Sequence, residues 1–196
     1  MESLDDLLRE YEMVYGDVCP GQLLGIRMAI MGCRLVGLED PRSADTKNLI
    51  VWVEIDRWLV DAVEAVTGAR LGKRTLKFFD YGKLAATFLN VQNGKAVRIA
   101  ALASARRLAD QRYPEIESNY IRQMKFYREA RYEQLFAVKA VKVRLKDIDA
   151  PGHPRSRVIC LQCGEEVNDG REISRLGGST LCRPCALGTQ SVVQCA

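Results

Sequence analysis

The sequence predicts an α+β protein: a mixed N-terminal domain with an antiparallel hairpin, followed by a small C-terminal module. Three observations predict it. Apolar residues recur at helical spacing from Leu4 to Leu35 and alternate at strand spacing from Asn48 onward. Asn93-Gly94 separates two strand-like runs, as in a tight type I′ hairpin. Two Cys-x-x-Cys pairs, Cys160/Cys163 and Cys182/Cys185, lie near the C-terminus. The expected division is 1–150 for the α+β domain, 151–157 for a linker and 158–196 for the cysteine module.

Each element has its own signal. Leu4, Leu7, Leu8 and Tyr11 share one face of a helix over 3–13, with Ser3 as N-cap and Asp5 and Asp6 at its positive start. Cys19-Pro-Gly opens a second helix that Gly37 can close. Its Gly25, Ala29 and Cys33 form a small-residue stripe suited to close packing. Asn48–Asp56 is apolar on both faces, as expected of a strand covered twice. A helix over 58–66 ends at Thr67-Gly68, and 75–79, 86–91 and 95–99 read as strands. Helices follow over 101–111 and from Pro114 to Arg131, then a strand over 135–145 that alternates through Val141, Val143 and Leu145.

The chain has 196 residues, 47% of them hydrophobic and 28% charged, as in a globular protein. Arg27 and Arg34 interrupt the longest apolar run, so no membrane span is expected. The acidic start Met-Glu-Ser-Leu-Asp-Asp lacks a secretory signal, and a cytoplasmic location is expected. Setting four of the seven cysteines aside leaves Cys19, Cys33 and Cys195, an odd number that fits a reducing compartment. A net charge of +4 permits nucleic-acid binding without arguing strongly for it.

The cysteine pairs carry the sharpest chemistry. Two residues between cysteines let one tight turn aim both sulfurs at a shared point. Two such turns, 18 residues apart, supply a tetrahedron of thiolates for one Zn²⁺. A site closed by four thiolates leaves no open coordination position, so the ion is structural. A zinc ribbon or a treble-clef-like module is expected. A thioredoxin-like pair would explain only one Cys-x-x-Cys. His153 then belongs to the linker rather than to the metal.

The segment Tyr15-Gly-Asp-Val-Cys-Pro-Gly-Gln-Leu-Leu-Gly-Ile-Arg-Met28 resembles the signature of the FmdE family of formylmethanofuran dehydrogenase proteins. Glu54-Ile-Asp56, Asp61-Ala62, Thr67-Gly68, Gly72-Lys73, Asp80-Tyr-Gly-Lys83 and Gly94-Lys95-Ala-Val-Arg98 extend the resemblance, as do the C-terminal cysteine pairs. The resemblance implies an accessory, zinc-binding role beside a molybdenum- or tungsten-dependent, methanogenesis-related dehydrogenase, whose pterin other subunits hold. It implies partnership with those subunits and leans toward a homodimer. The apolar helix over 23–36 offers surface for that dimer.

Departures from the family pattern define the second candidate site. Tyr15 and Asp17 stand where the family has histidines, and Trp58 and Ala69 where members commonly carry cysteines. A degenerate pocket of Tyr15, Asp17, Cys19, Asp56 and Trp58 is expected, with no second tightly held metal and no catalytic residue. Cys19 at a helix start can be a nucleophile, against the plainer reading of a thiol left from a lost site. Asp17, Glu54 and Asp56 could gather around a cation, or simply cap turns. Gly72-Lys73-Arg74-Thr75 lacks the upstream glycine of a phosphate loop. Tyr113–Tyr132 interleaves aromatics with Arg122, Lys125, Arg128 and Arg131, a pattern that suits base stacking or, more simply, an amphipathic helix. A nucleic-acid-binding or regulatory module using Arg155, Arg157, Arg171, Arg175 and Arg183 is the alternative function.

Overall fold

The computed structural model describes residues 2–43, 45–175 and 178–188, and Cys195 lies outside them. The chain divides into two units, Met1–Arg144 and Leu145–Ala196. The first unit contains α1 (Leu4–Tyr15), α2 (Pro20–Val36), β1 (Leu49–Val53), α3 (Leu59–Thr67), β2 (Leu76–Phe78), β3 (Ala85–Asn90), β4 (Ala96–Ala101), α4 (Ser104–Arg112), α5 (Asn119–Glu129), α6 (Tyr132–Leu135) and β5 (Phe136–Ala140). Its strands form one mixed sheet in the order β2-β1-β3-β4-β5, parallel between β1 and β2 and antiparallel elsewhere.

The expected caps are present. The backbone N–H of Asp6 donates to the Ser3 hydroxyl at 3.2 Å, and Gly37 and Gly68 close α2 and α3 in left-handed conformations. Helix α2 is the centre of the unit. Leu23, Ile26, Met28, Ala29, Cys33 and Val36 are all fully buried. Gly25 lies against Ala62 of α3, where an added Cβ would come within 2.6 Å of the alanine methyl. Gly32 lies against the Phe88 ring of β3. The α2 surface read as available for a dimer is therefore spent inside the chain's own core.

Strand β1 divides its residues as the alternation requires. Leu49, Val51 and Val53 join the core under α2. Ile50 pairs with Leu89 on the opposite face, and both are buried there too. That opposite face also carries an ion pair. Arg98 donates to both carboxylate oxygens of Glu54, at 2.6 and 2.7 Å. Glu54 is thereby taken out of any cluster with Asp17 and Asp56.

Three local expectations are corrected. The hairpin loop has four residues, not two. Gly94 N donates to Asn90 O at 2.9 Å, and only Gly94 is left-handed. Asn93 instead uses its side chain to donate to Val36 O at 3.1 Å and accept from Lys95 N at 2.8 Å, which pins the loop to the end of α2. Pro114 sits in a turn, not in a helix. The next helix, α5, begins at Asn119, where Ser118 supplies the side-chain cap. The chain must bend there so that Tyr113, bonded to Glu129, and Arg122, bonded to Ile116 O at 2.9 Å, tie α4 to α5. The last strand ends at Ala140. Ala140 pairs with Val97, and β4 begins only one residue beyond it, so Val141, Val143 and Leu145 have no neighbouring strand.

The segment Tyr113–Tyr132 follows the amphipathic reading. Tyr113, Phe126 and Tyr127 are buried, and Arg122 and Arg128 pair with Asp110 and Asp5. Arg27, in the motif on α2, is buried as well. It donates to the carbonyls of Tyr127 and Arg128 and lies 4.7 Å from the Tyr132 ring centroid, closing the C-terminal end of α5.

Candidate metal centre

The second unit is built around its cysteines. It contains a 3₁₀ turn (Asp147–Asp149), β6 (Arg157–Ile159), β7 (Glu166–Asn168), β8 (Ile173–Ser174), β9 (Thr180–Leu181) and α7 (Arg183–Leu187). Cys160 follows β6. The chain then folds over itself, with Gly164 N donating to Cys160 O at 2.9 Å and Cys160 N to Glu165 O at 2.9 Å. Gly164 has φ +75, which a side chain would resist. Leu161 N donates to Thr180 O at 3.0 Å, tying this knuckle to β9. Cys182 is the N-cap of α7 and Cys185 lies in its first turn, with Pro184 between them at a position where helices accept proline. Knuckle, hairpin, then helix carrying the last two ligands is the treble-clef arrangement.

The four sulfurs all lie within 4.8 Å of one another. A zinc tetrahedron with Zn–S of about 2.3 Å has edges of about 3.8 Å. Cys163 Sγ and Cys182 Sγ are 3.8 Å apart. The donor set and its size fit a single soft or borderline cation. Leu181 is buried beside Cys160 and Cys182, and Val167 and Ala186 pack on them, which restricts water. As free thiols the four are unequal. Hydrogen bonds from the backbone, that of Cys163 first, lower Cys160 to about 6. The Cys182 side chain and the other neighbouring sulfurs push Cys185 up to about 12. His153 is exposed and is not part of the cluster.

The N-terminal candidates are spread over adjacent places. Tyr15 ends α1, stacks on Tyr11 with ring centroids 4.5 Å apart, and lines a cavity of about 410 Å³. Asp56 and Trp58 line a second cavity of about 650 Å³ between β1, β2 and α3. Cys19 is the N-cap of α2, its N–H donating to Gln22 Oε1 at 2.6 Å. Its sulfur and the Trp58 ring both stand 3.7 Å from the Cβ position of Gly21. Asp17 is exposed in the loop before it, and Ala69 is buried. Tyr120 of α5 donates to Val18 O at 2.6 Å and steadies this loop. Among the described residues the four C-terminal cysteines are the one group of three or more potential metal ligands that converge.

The family model described as FmdE, molybdenum formylmethanofuran dehydrogenase operon, matches residues 14–148. The chain belongs to the FmdE family. A crystal structure of an FmdE-like protein of tungsten formylmethanofuran dehydrogenase, from Syntrophus aciditrophicus, shares the fold. Its TM-score is 0.61 at 21% identity, over 97% of this chain and 96% of that one. A probable S-adenosyl-L-methionine-binding protein of Archaeoglobus fulgidus is 32% identical over 98 residues, 50% of this chain but 27% of its own length. Among the described residues no helix is long and apolar enough to cross a membrane.

The FmdE core also places residues near the N-terminal candidates that sequence reasoning did not single out as site residues. Asp61 lines the second cavity, and burial raises its pKa. Tyr11 is almost wholly buried, accepts from Gln22 Nε2 at 3.0 Å, and is pushed up to about 12 by burial first and by Asp61 second. The spacing of Trp58 and Asp61, one helical turn apart, is the signal that could have found Asp61.

Proposed function

We propose that this chain is a zinc-binding accessory protein of a molybdenum- or tungsten-dependent formylmethanofuran dehydrogenase, holding one structural Zn²⁺ through Cys160, Cys163, Cys182 and Cys185. The observation that carries the metal assignment is the mutual approach of four sulfurs within 4.8 Å. That spacing leaves room for one ion. A multi-iron cluster, with inorganic sulfide between its metals, would hold the thiolates farther apart. A reducing, cytoplasmic setting belongs to the same proposal, because the four thiols must stay reduced to bind.

Family membership supports the dehydrogenase subunits as partners. Self-association as a homodimer is also proposed. What supports it is the outer edge of the sheet, where β5 is the last strand and Val138 is 43% exposed. No catalytic residue is assigned to the chain.

The test is to mix the zinc-loaded chain with the dehydrogenase subunits and run size exclusion. Co-elution, with no formylmethanofuran turnover by the chain alone, is the expected result. Turnover by the isolated chain, or elution always apart from those subunits, would contradict the accessory role. Light scattering on the chain alone reads the dimer directly against the 22.0 kDa of one copy.

A further inference from the structure

The cavity of about 650 Å³ between β1, β2 and α3 has the size of a small-molecule site. Its floor includes Val53 and Leu76, both fully or almost fully buried. Trp58 and Phe78 stand at its mouth, 50% and 42% exposed. Asp56 and Asp61 add two carboxylates, and among the described residues neither side chain has a hydrogen bond or an ion pair. Arg57 also lines the cavity, but its guanidinium lies 5.9 Å from the Trp58 ring centroid and pairs with neither aspartate. The neighbouring cavity of about 410 Å³ differs. There Arg42 pairs with Glu10 at 2.5 Å and Arg70 with Glu64 at 3.4 Å, so much of its charge is internally matched.

We propose that the larger cavity binds an organic cation, an ammonium group carried on an apolar or aromatic body. Asp61 sits partly desolvated without compensation, which raises its proton affinity and makes a cationic partner favourable. An ammonium at Asp61 and Asp56 would neutralise charge the protein leaves unmatched. Its body would cover Trp58, the best of the aromatic faces for a cation, and Phe78. A metal ion fits poorly. Two carboxylates fall well short of the six or more oxygens that Ca²⁺ takes, and the Cys19 thiol is not in the lining. The inference goes beyond the accessory role and does not depend on the cysteine centre.

The experiment uses the full ¹⁵N-labelled, metal-loaded chain and follows its two tryptophan indole N–H signals, assigned with Trp58→Phe. Benzylamine, cationic at neutral pH, is titrated beside benzyl alcohol, its neutral near-isostere, and Mg²⁺. Benzylamine is expected to shift the Trp58 signal with an affinity about tenfold above benzyl alcohol, from one exposed ion pair and one cation–π contact. Asp61→Asn, nearly isosteric, should remove that preference and leave benzyl alcohol binding unchanged. Asp56→Asn provides a second reading of the same ratio should Asp61→Asn fail to fold. Equal affinity for amine and alcohol, a preference that survives both variants, or tighter binding of Mg²⁺ would overturn the proposal. Zinc content measured on the same samples keeps this outcome separate from that of the cysteine centre.

Discussion

Gly32 sets how closely α2 can approach the sheet. A Cβ there would fall 2.5 Å from the Phe88 ring, and Phe88 is itself fully buried with nowhere to move. Gly32→Ala should therefore destabilise the protein by about 1–3 kcal/mol, the usual cost of overpacking. Gly72→Ala, with open space at its Cβ, should change the melting temperature little, so the pair of melts separates packing from composition. The Glu54–Arg98 pair gives a second test at this scale. Hydrogen bonds from Arg98 hold the Glu54 carboxyl below its ordinary 4.5. A depressed folded pKa contributes stability above the unfolded value and loses it as pH falls through the folded one. Arg98→Leu should cost about 1–3 kcal/mol at neutral pH by leaving a nearly buried acceptor unpaired. The difference from the parent should shrink as acid protonates Glu54 below about 4.5, as read by denaturant midpoints across pH. A difference that stays constant down to pH values well below that would contradict the pair's role.

Elements whose signals are local were legible in the sequence. Ser3, Gly37 and Gly68 act within one turn of where they stand, so α1, α2 and α3 end close to where their caps place them. The cysteine knuckles are equally local, which is why spacing alone brought the four sulfurs to one point. Elements decided by partners were not legible. Strand β5 stops where β4 stops, although the alternation continues in the sequence. The chain turns at Pro114 because Tyr113 and Arg122 bind across to other segments. The site residues near α3 were legible only in part for the same reason: Trp58 was read as a lost ligand, while Asp61 matters through a cavity that β1, β2 and α3 form together. A prediction belongs here. Cys163→Ser removes one of four ligands, and structural zinc contributes roughly 10–16 kcal/mol of apparent binding energy in finger peptides. That variant should lose its metal and expose the β8–β9 hairpin and α7 to protease. Unchanged metal content and unchanged protease resistance would contradict the assignment.

At the scale of the molecule, the two units have separate cores of very different size. The first rests on a large cluster that runs from α1 to β5, whereas the second has only Cys160, Leu181 and Cys182 as buried members. A core that small does not hold a fold of its own without a metal or a disulfide. Chelation should therefore unfold Leu145–Ala196 while the melting transition of Met1–Arg144 persists, and calorimetry with and without chelator checks this. The identity and number of the metal carry the rest. Elemental analysis of the anaerobically purified chain, combined with X-ray absorption at the metal edge, measures both together. The expected result is one zinc per 22.0 kDa chain, surrounded by four sulfurs at about 2.3 Å. Iron in place of zinc, a shell containing oxygen or nitrogen, or a reduced chain that holds no metal would contradict a closed four-thiolate zinc centre.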